Sequence, residues 1–298
     1  MKVSFVTLDV FTDRPFSGNQ LLVVPDARGL SKPEMQAIAR EINYSESTFV
    51  LPPDDPRHAY RQRTFVPLKE IPYAGHPTVG TALAMARLGR LPADASRITI
   101  EVGFGPLELE LIRDGGSVSR VRMAQGTPVW ETPVAGGALR ARVASALGLP
   151  EKALHAALPP QVVSTGNRAL VIPLADVASV SSAIADVRAL GALETELDIL
   201  ISYFFAFHGE RVRARAFCPG AGVPEDPATG SAAGPLGIYL ALQGALPGGA
   251  PTFFIDQGIE MGRPSEIEVE VERGADGLPA AVKVTGGAVL MMQGNLSV

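Results

Sequence analysis

A chain of 298 residues with 26 basic and 31 acidic side chains has a net charge of -5 and no basic run, which argues against nucleic acid or an anionic membrane as its main partner. A small solute is the better expectation. A single cysteine excludes an intrachain disulfide and makes a reducing, cytoplasmic setting the natural one. Asp9, Asp13 and Arg14 interrupt the N-terminal apolar stretch too early for a signal peptide, and no apolar run reaches the roughly 18 residues of a bilayer span.

In chain order, Val3-Ser4-Phe5-Val6-Thr7-Leu8 alternates with period two and predicts a half-buried strand. Ser31 before Lys32-Pro33-Glu34 can cap a helix that places Met35, Ile38 and Ala39 on one face up to Ile42. The segment Asn43-Tyr44-Ser45-Glu46-Ser47-Thr48-Phe49-Val50 sets Glu46 between that helix and the next strand. Thr78 to Leu88 and Ser231 to Leu242 are rich in alanine and leucine, so each predicts a helix buried on every side. Leu107-Glu108-Leu109-Glu110-Leu111 and Ile267-Glu268-Val269-Glu270-Val271 are further alternating strands, and a last strand signal follows Gly286-Gly287.

The chain also repeats itself. Gly18-Asn19 with Leu22-Val23-Val24-Pro25 returns as Gly166-Asn167 with Leu170-Val171-Ile172-Pro173. Arg63, Phe65 and Pro67 return as Arg215, Phe217 and Pro219, and Glu70-x-Pro72-x-x-Gly75 returns as Glu225-x-Pro227-x-x-Gly230, with three residues inserted between the two motifs. Three matches in one order predict two related halves. The expected fold class is α+β, with two similar domains that each form an antiparallel strand barrel around a central helix. Residues 1–127 form the first and 128–286 the second, with 287–298 available to return to the first. The boundary is placed between Gly126 and Val134, where Gly126-Thr127-Pro128 and Thr132-Pro133 break the pattern.

Gly75 and Gly230 stand at matching helix starts, where unpartnered N–H groups and the helix dipole suit a carboxylate or phosphate. Two such ends facing an interdomain cleft would hold a small anionic metabolite; alternatively, Thr229 and nearby caps simply satisfy those N–H groups. The copies differ where a catalyst would lie: Asp226 replaces Ile71, and His76 replaces Ser231. Glu46 has no carboxylate counterpart in Leu200-Ile201-Ser202-Tyr203-Phe204. Partial burial would raise its pKa toward the range in which it accepts and donates a proton, while a solvated strand-edge glutamate is the competing reading. His58, His76, His155 and His208 lack metal-ligand spacing, and neither a P-loop nor a full dinucleotide fingerprint occurs.

Gly18-Asn19, Asn43-Tyr44-Ser45-Glu46-Ser47, Ala74-Gly75-His76-Pro77-Thr78-Val79-Gly80 and Glu225-Asp226-Pro227-Ala228-Thr229-Gly230-Ser231-Ala232 together resemble the PhzF-like isomerase family of phenazine biosynthesis, in its order and across both halves. The resemblance implies the diaminopimelate-epimerase fold and a cofactor-independent isomerase, usually a homodimer. It makes Glu46 the proton shuttle, with His76 and Asp226 positioning the substrate and Ser231, Gly75 and Gly230 helping to hold it; Ser45 and Asn19, within the same motifs, join the candidate binding residues. Diaminopimelate epimerases and proline racemases look similar in outline but carry a cysteine at each helix start. Here neither start has a thiol, and Cys218 reads as a small core residue. One carboxylate then moves a proton between carbons on one face. An epimerase or racemase using Glu46 and Asp226, and a non-catalytic anion-binding protein, are the alternatives.

Overall fold

The protein is described by a computed structural model that covers residues 1–133 and 137–298; the predicted boundary segment ends at Val134, which lies outside them. The chain divides into two compact units, Met1–Ala124 with Thr285–Val298, and Gln125–Val284.

The first unit contains β1 (Lys2–Val10), β2 (Asn19–Val24), α1 (Lys32–Ile42), β3 (Glu46–Leu51), β4 (Arg61–Phe65), β5 (Glu70–Ile71), α2 (Gly75–Arg87), β6 (Arg97–Val102), β7 (Gly105–Asp114) and β8 (Ser117–Ala124). Ser31 caps α1 in a full capping box with Glu34, and Asn43 ends it in the left-handed conformation. Every residue of α2 from Gly75 to Met85 is buried, and the helix packs against β1, β2, β3 and β8. Its Gly80 permits that approach, because a Cβ there would lie 2.5 Å from Leu21 Cδ2.

The second unit contains β9 (Val129–Trp130), α3 (Gly137–Ala146), β10 (Gln161–Ser164), β11 (Arg168–Pro173), α4 (Val177–Ser182), α5 (Val187–Leu197), β12 (Ile201–His208), β13 (Arg211–Cys218), β14 (Val223–Asp226), α6 (Gly230–Leu242), β15 (Thr252–Gln257) and β16 (Ser265–Arg273). The last strand, β17 (Pro279–Ser297), starts in this unit and ends in the first, where it pairs with β1 from Lys2↔Ser297 to Val10↔Ala288. Buried from Gly230 to Ala241, α6 packs against β10, β11 and β16. Both long apolar helices are thus enclosed by strands, as their lack of a polar face requires.

The strands are not all antiparallel, which corrects the expectation. β2 and β3 run parallel, as do β11 and β12, β4 and β6, and β13 and β15. A parallel neighbour needs a crossover, and α1 supplies it between β2 and β3 while α4 and α5 supply it between β11 and β12. The alternation that identifies half-buried strands carries no information on direction, while the crossover helices are each capped by a local side chain, Ser31 for α1, Asp176 for α4 and Asp186 for α5.

The repeat is carried into the registers. Leu21 pairs with Glu46 as Ala169 pairs with Ile201, and Ser47 pairs with Phe65 as Ser202 pairs with Phe217. Thr64 pairs with Ile71 as Ala216 pairs with Asp226. In each unit one bidentate ion pair ties the two strands that lead to the buried helix. Arg63 Nε and Nη2 donate to Glu70 at 2.7 and 2.8 Å, and Arg215 Nε and Nη2 donate to Glu225 at 2.8 and 3.0 Å. The most conspicuous shared residues of the sequence repeat are therefore a clamp.

Candidate active site

In the first unit the turn before β2 needs Gly18, whose φ is +64° and where a Cβ would lie 2.3 Å from the Val10 carbonyl oxygen. That turn delivers Asn19 to the first position of β2, and the end of α1 delivers Glu46 to the first position of the parallel β3. His76 is the second residue of α2 and is 2% exposed. Asn19 Nδ2 lies 3.0 Å from His76 Nδ1, and Glu46 Oε2 lies 3.6 Å from the same nitrogen. With the Asn19 amide nitrogen as donor, Nδ1 accepts, and the single proton of a neutral ring sits on Nε2. Burial pushes His76 down to about 3, with the Gln20 backbone working in the opposite sense. His76 Nε2 is buried without a hydrogen-bond partner. His76 is therefore a neutral N–H donor, not a cation, near neutral pH.

Ser45 is half-buried in the turn ahead of Glu46, and the Glu46 side chain is 15% exposed. Gly75 opens α2 behind Ala74, which makes no side-chain cap, so the first-turn N–H groups have no capping oxygen. Asn19, Glu46 and His76 thus converge, and Ser45 and Gly75 adjoin them in the chain.

In the second unit Asp226 ends β14, three residues before Thr229, the N-cap position of α6. Thr229 does not cap the helix with its side chain; its hydroxyl donates to Asp226 Oδ2 at 2.6 Å. Gln257 holds this turn from behind. Its Nε2 donates to the Asp226 carbonyl at 2.7 Å and to Thr229 Oγ1 at 2.9 Å, while its Oε1 accepts from Thr229 N and from Tyr203 Oη. Burial, with the Asp226 carboxylate nearby, pushes Tyr203 upward, so its hydroxyl stays a donor. Asp226, Gly230 and Ser231 are all buried, at 6% exposure for Asp226 and 7% for Ser231.

Gln257 and Gln125 escape a sequence reading. Gln125 donates to the Gly230 carbonyl at 2.7 Å and accepts from Thr165 Oγ1, so the Ser164–Asn167 turn braces α6. A glutamine ending a strand carries no signal until the turn it supports is known. Cys218 is buried at the end of β13, paired in register with Val223. Among the described residues no group of three or more His, Cys, Asp or Glu side chains is arranged to hold a metal ion, and no helix is long and apolar enough to cross a membrane.

A family model described as phenazine biosynthesis-like protein matches residues 8–294. A trans-2,3-dihydro-3-hydroxyanthranilate isomerase of Pseudomonas chlororaphis is 38% identical over 292 residues, 98% of each chain. A phenazine biosynthesis protein of the PhzF family from Bacillus anthracis superposes with a TM-score of 0.88 at 25% identity, over 100% of both chains. A structure named as a predicted epimerase from Pseudomonas aeruginosa gives 0.84 at 33% identity, over 99% of both. The chain belongs to the phenazine biosynthesis-like protein family and is an isomerase.

Proposed function

We propose that this isomerase moves a proton between two carbons of a small carboxylate-bearing metabolite without a cofactor, and that Glu46 takes and returns that proton. The observation that carries the reading is the half-buried Glu46 carboxylate 3.6 Å from a buried histidine that stays neutral, at the uncapped start of α2. A carboxylate there suits general acid–base work on a C–H bond, since one group can abstract on one carbon and deliver to another on the same face. The Nε2–H of His76 donates to a substrate oxygen as negative charge develops, and the open N–H groups of the helix add to that stabilisation. Asn19 fixes the ring tautomer by occupying Nδ1. On the strength of the duplicated helix starts, Asp226 is assigned to a substrate amine or hydroxyl, and Ser231 with Gly230 to its carboxylate.

The relatives' name makes trans-2,3-dihydro-3-hydroxyanthranilate the first compound to test. Turnover in deuterium oxide should place deuterium at the receiving carbon. Glu46→Gln should lower turnover by roughly 10²- to 10⁴-fold while still binding the substrate. Full activity in that variant refutes the assignment, and inversion at one stereocentre without a double-bond shift replaces isomerisation by epimerisation.

A further inference from the structure

The two copies of the Arg–Glu clamp have different surroundings. In the second unit Arg215 Nη1, the arm not used by Glu225, donates to the carbonyls of Val180 and Ala183 at 3.0 and 2.8 Å. These oxygens lie at the C-terminal end of α4, where the helix dipole is negative. The first unit has no helix corresponding to α4, because β2 returns to β3 through α1 alone. Arg63 Nη1 accordingly has no acceptor among the described residues.

Beside Arg63 lies a cavity of about 500 Å³, lined by Lys32, Arg61, Gln62, Arg63, Glu70 and Gly103 among others. Glu70 is shared by Arg63 and by Lys32 at 2.8 Å, so two cations face one carboxylate. Arg61 Nη1 is held by Asp54 at 2.8 and 2.9 Å, which leaves one positive charge in excess around the cavity. One further donor is left over, since Arg61 Nε is buried without a hydrogen-bond partner. A lining with surplus positive charge and unmet hydrogen-bonding capacity takes a ligand that brings acceptor oxygens.

We propose that this cavity is a second ligand site, separate from the start of α2, that binds a small carboxylate whose oxygens take on Arg63 the place that the α4 carbonyls take on Arg215. The site adjoins Ile71 and Pro72, the residues that lead into Gly75 and His76.

Malonate is a suitable probe, read by the amide resonances of the full-length protein. Saturable shifts are expected at Arg61, Gln62, Arg63, Glu70 and Gly103. Lys32→Met and Arg61→Met should each weaken them by roughly tenfold or more, the loss expected for one hydrogen bond to a charged group, with isomerase turnover unchanged. Shifts confined to Gly75, His76, Gly230 and Ser231, or no saturable response at about ten times a millimolar Kd, overturn the proposal. A response to inorganic phosphate with none to malonate overturns the carboxylate assignment.

Discussion

Replacing His76 by Asn tests the protonation state on which the proposed chemistry depends. Burial holds the ring at about 3 against an ordinary 6.5, so between those values an unfolded chain binds a proton that the folded one refuses. Stability linked to His76 is therefore fully present above about 6.5 and is lost as pH falls toward 3. Across the whole interval this amounts to about 5 kcal/mol, and between neutral pH and about pH 5, at 1.36 kcal/mol per unit, to about 2 kcal/mol. Asp26 and Glu70 are both held near 2 by arginine partners and act in the same direction only at lower pH, and Glu194, raised to about 7, titrates alike in both proteins, so the difference between wild type and variant isolates the histidine. Urea unfolding of the wild type and of His76→Asn at about pH 7 and about pH 5 should give a substitution cost that is smaller at the lower pH by about 2 kcal/mol. An equal cost at both values would mean that the folded ring carries charge, and the neutral N–H donor proposed for the substrate oxygen would be wrong.

Three further outcomes follow from the packing. Arg215→Met should cost about 3–5 kcal/mol in denaturant unfolding, because it strands the mostly buried Glu225 and two carbonyls, whereas Arg63→Met should cost only about 1–2 kcal/mol beside an open cavity. Gly80→Ala should lower stability by roughly 1–3 kcal/mol in a thermal melt, since the new methyl meets Leu21 Cδ2 at 2.5 Å and Val10 Cγ2 at 2.7 Å. Glu194 is raised to about 7 by burial, with the Gly220 N–H opposing. Its contribution is complete below the ordinary carboxylate range and is lost as pH rises through 7, so Glu194→Gln should be the more stable protein at about pH 8, by roughly 1–2 kcal/mol after screening, and should lose that advantage at about pH 5.

The buried helices, α1 with its cap, and the strands β1, β7 and β16 were legible because each rests on a local rule: an absent polar face, a capping box or a period of two. Strand direction was not legible, because crossover geometry depends on what a strand packs against rather than on its own pattern, whereas α4 and α5 do carry a local signal in their Asp176 and Asp186 caps. The candidate residues divide in the same way. Glu46, His76 and Asp226 stand out as polar residues in apolar settings, which a sequence displays. The neutral state of His76 and the bracing of Asp226 by Gln257 arise from contacts between residues far apart in the chain, and no window of sequence contains them.

The duplication separates scaffold from chemistry more sharply than composition can. Residues at matched register positions, Ser47 and Ser202 or Arg63 and Arg215, recur because both units build the same strand pairs and the same clamp. If Glu46 were part of that scaffold, its register mate would be expected to carry a carboxylate as well. That mate is Ile201, 2% exposed, an apolar side chain filling the position. Asp226 differs in the same way from Ile71, which is buried in the first unit. A carboxylate that only one copy carries, at a strand start beside a histidine that the other copy lacks, lies outside the pattern that both units share. That asymmetry supports the proposed role of Glu46, since a carrier that removes and returns one proton needs only one such group.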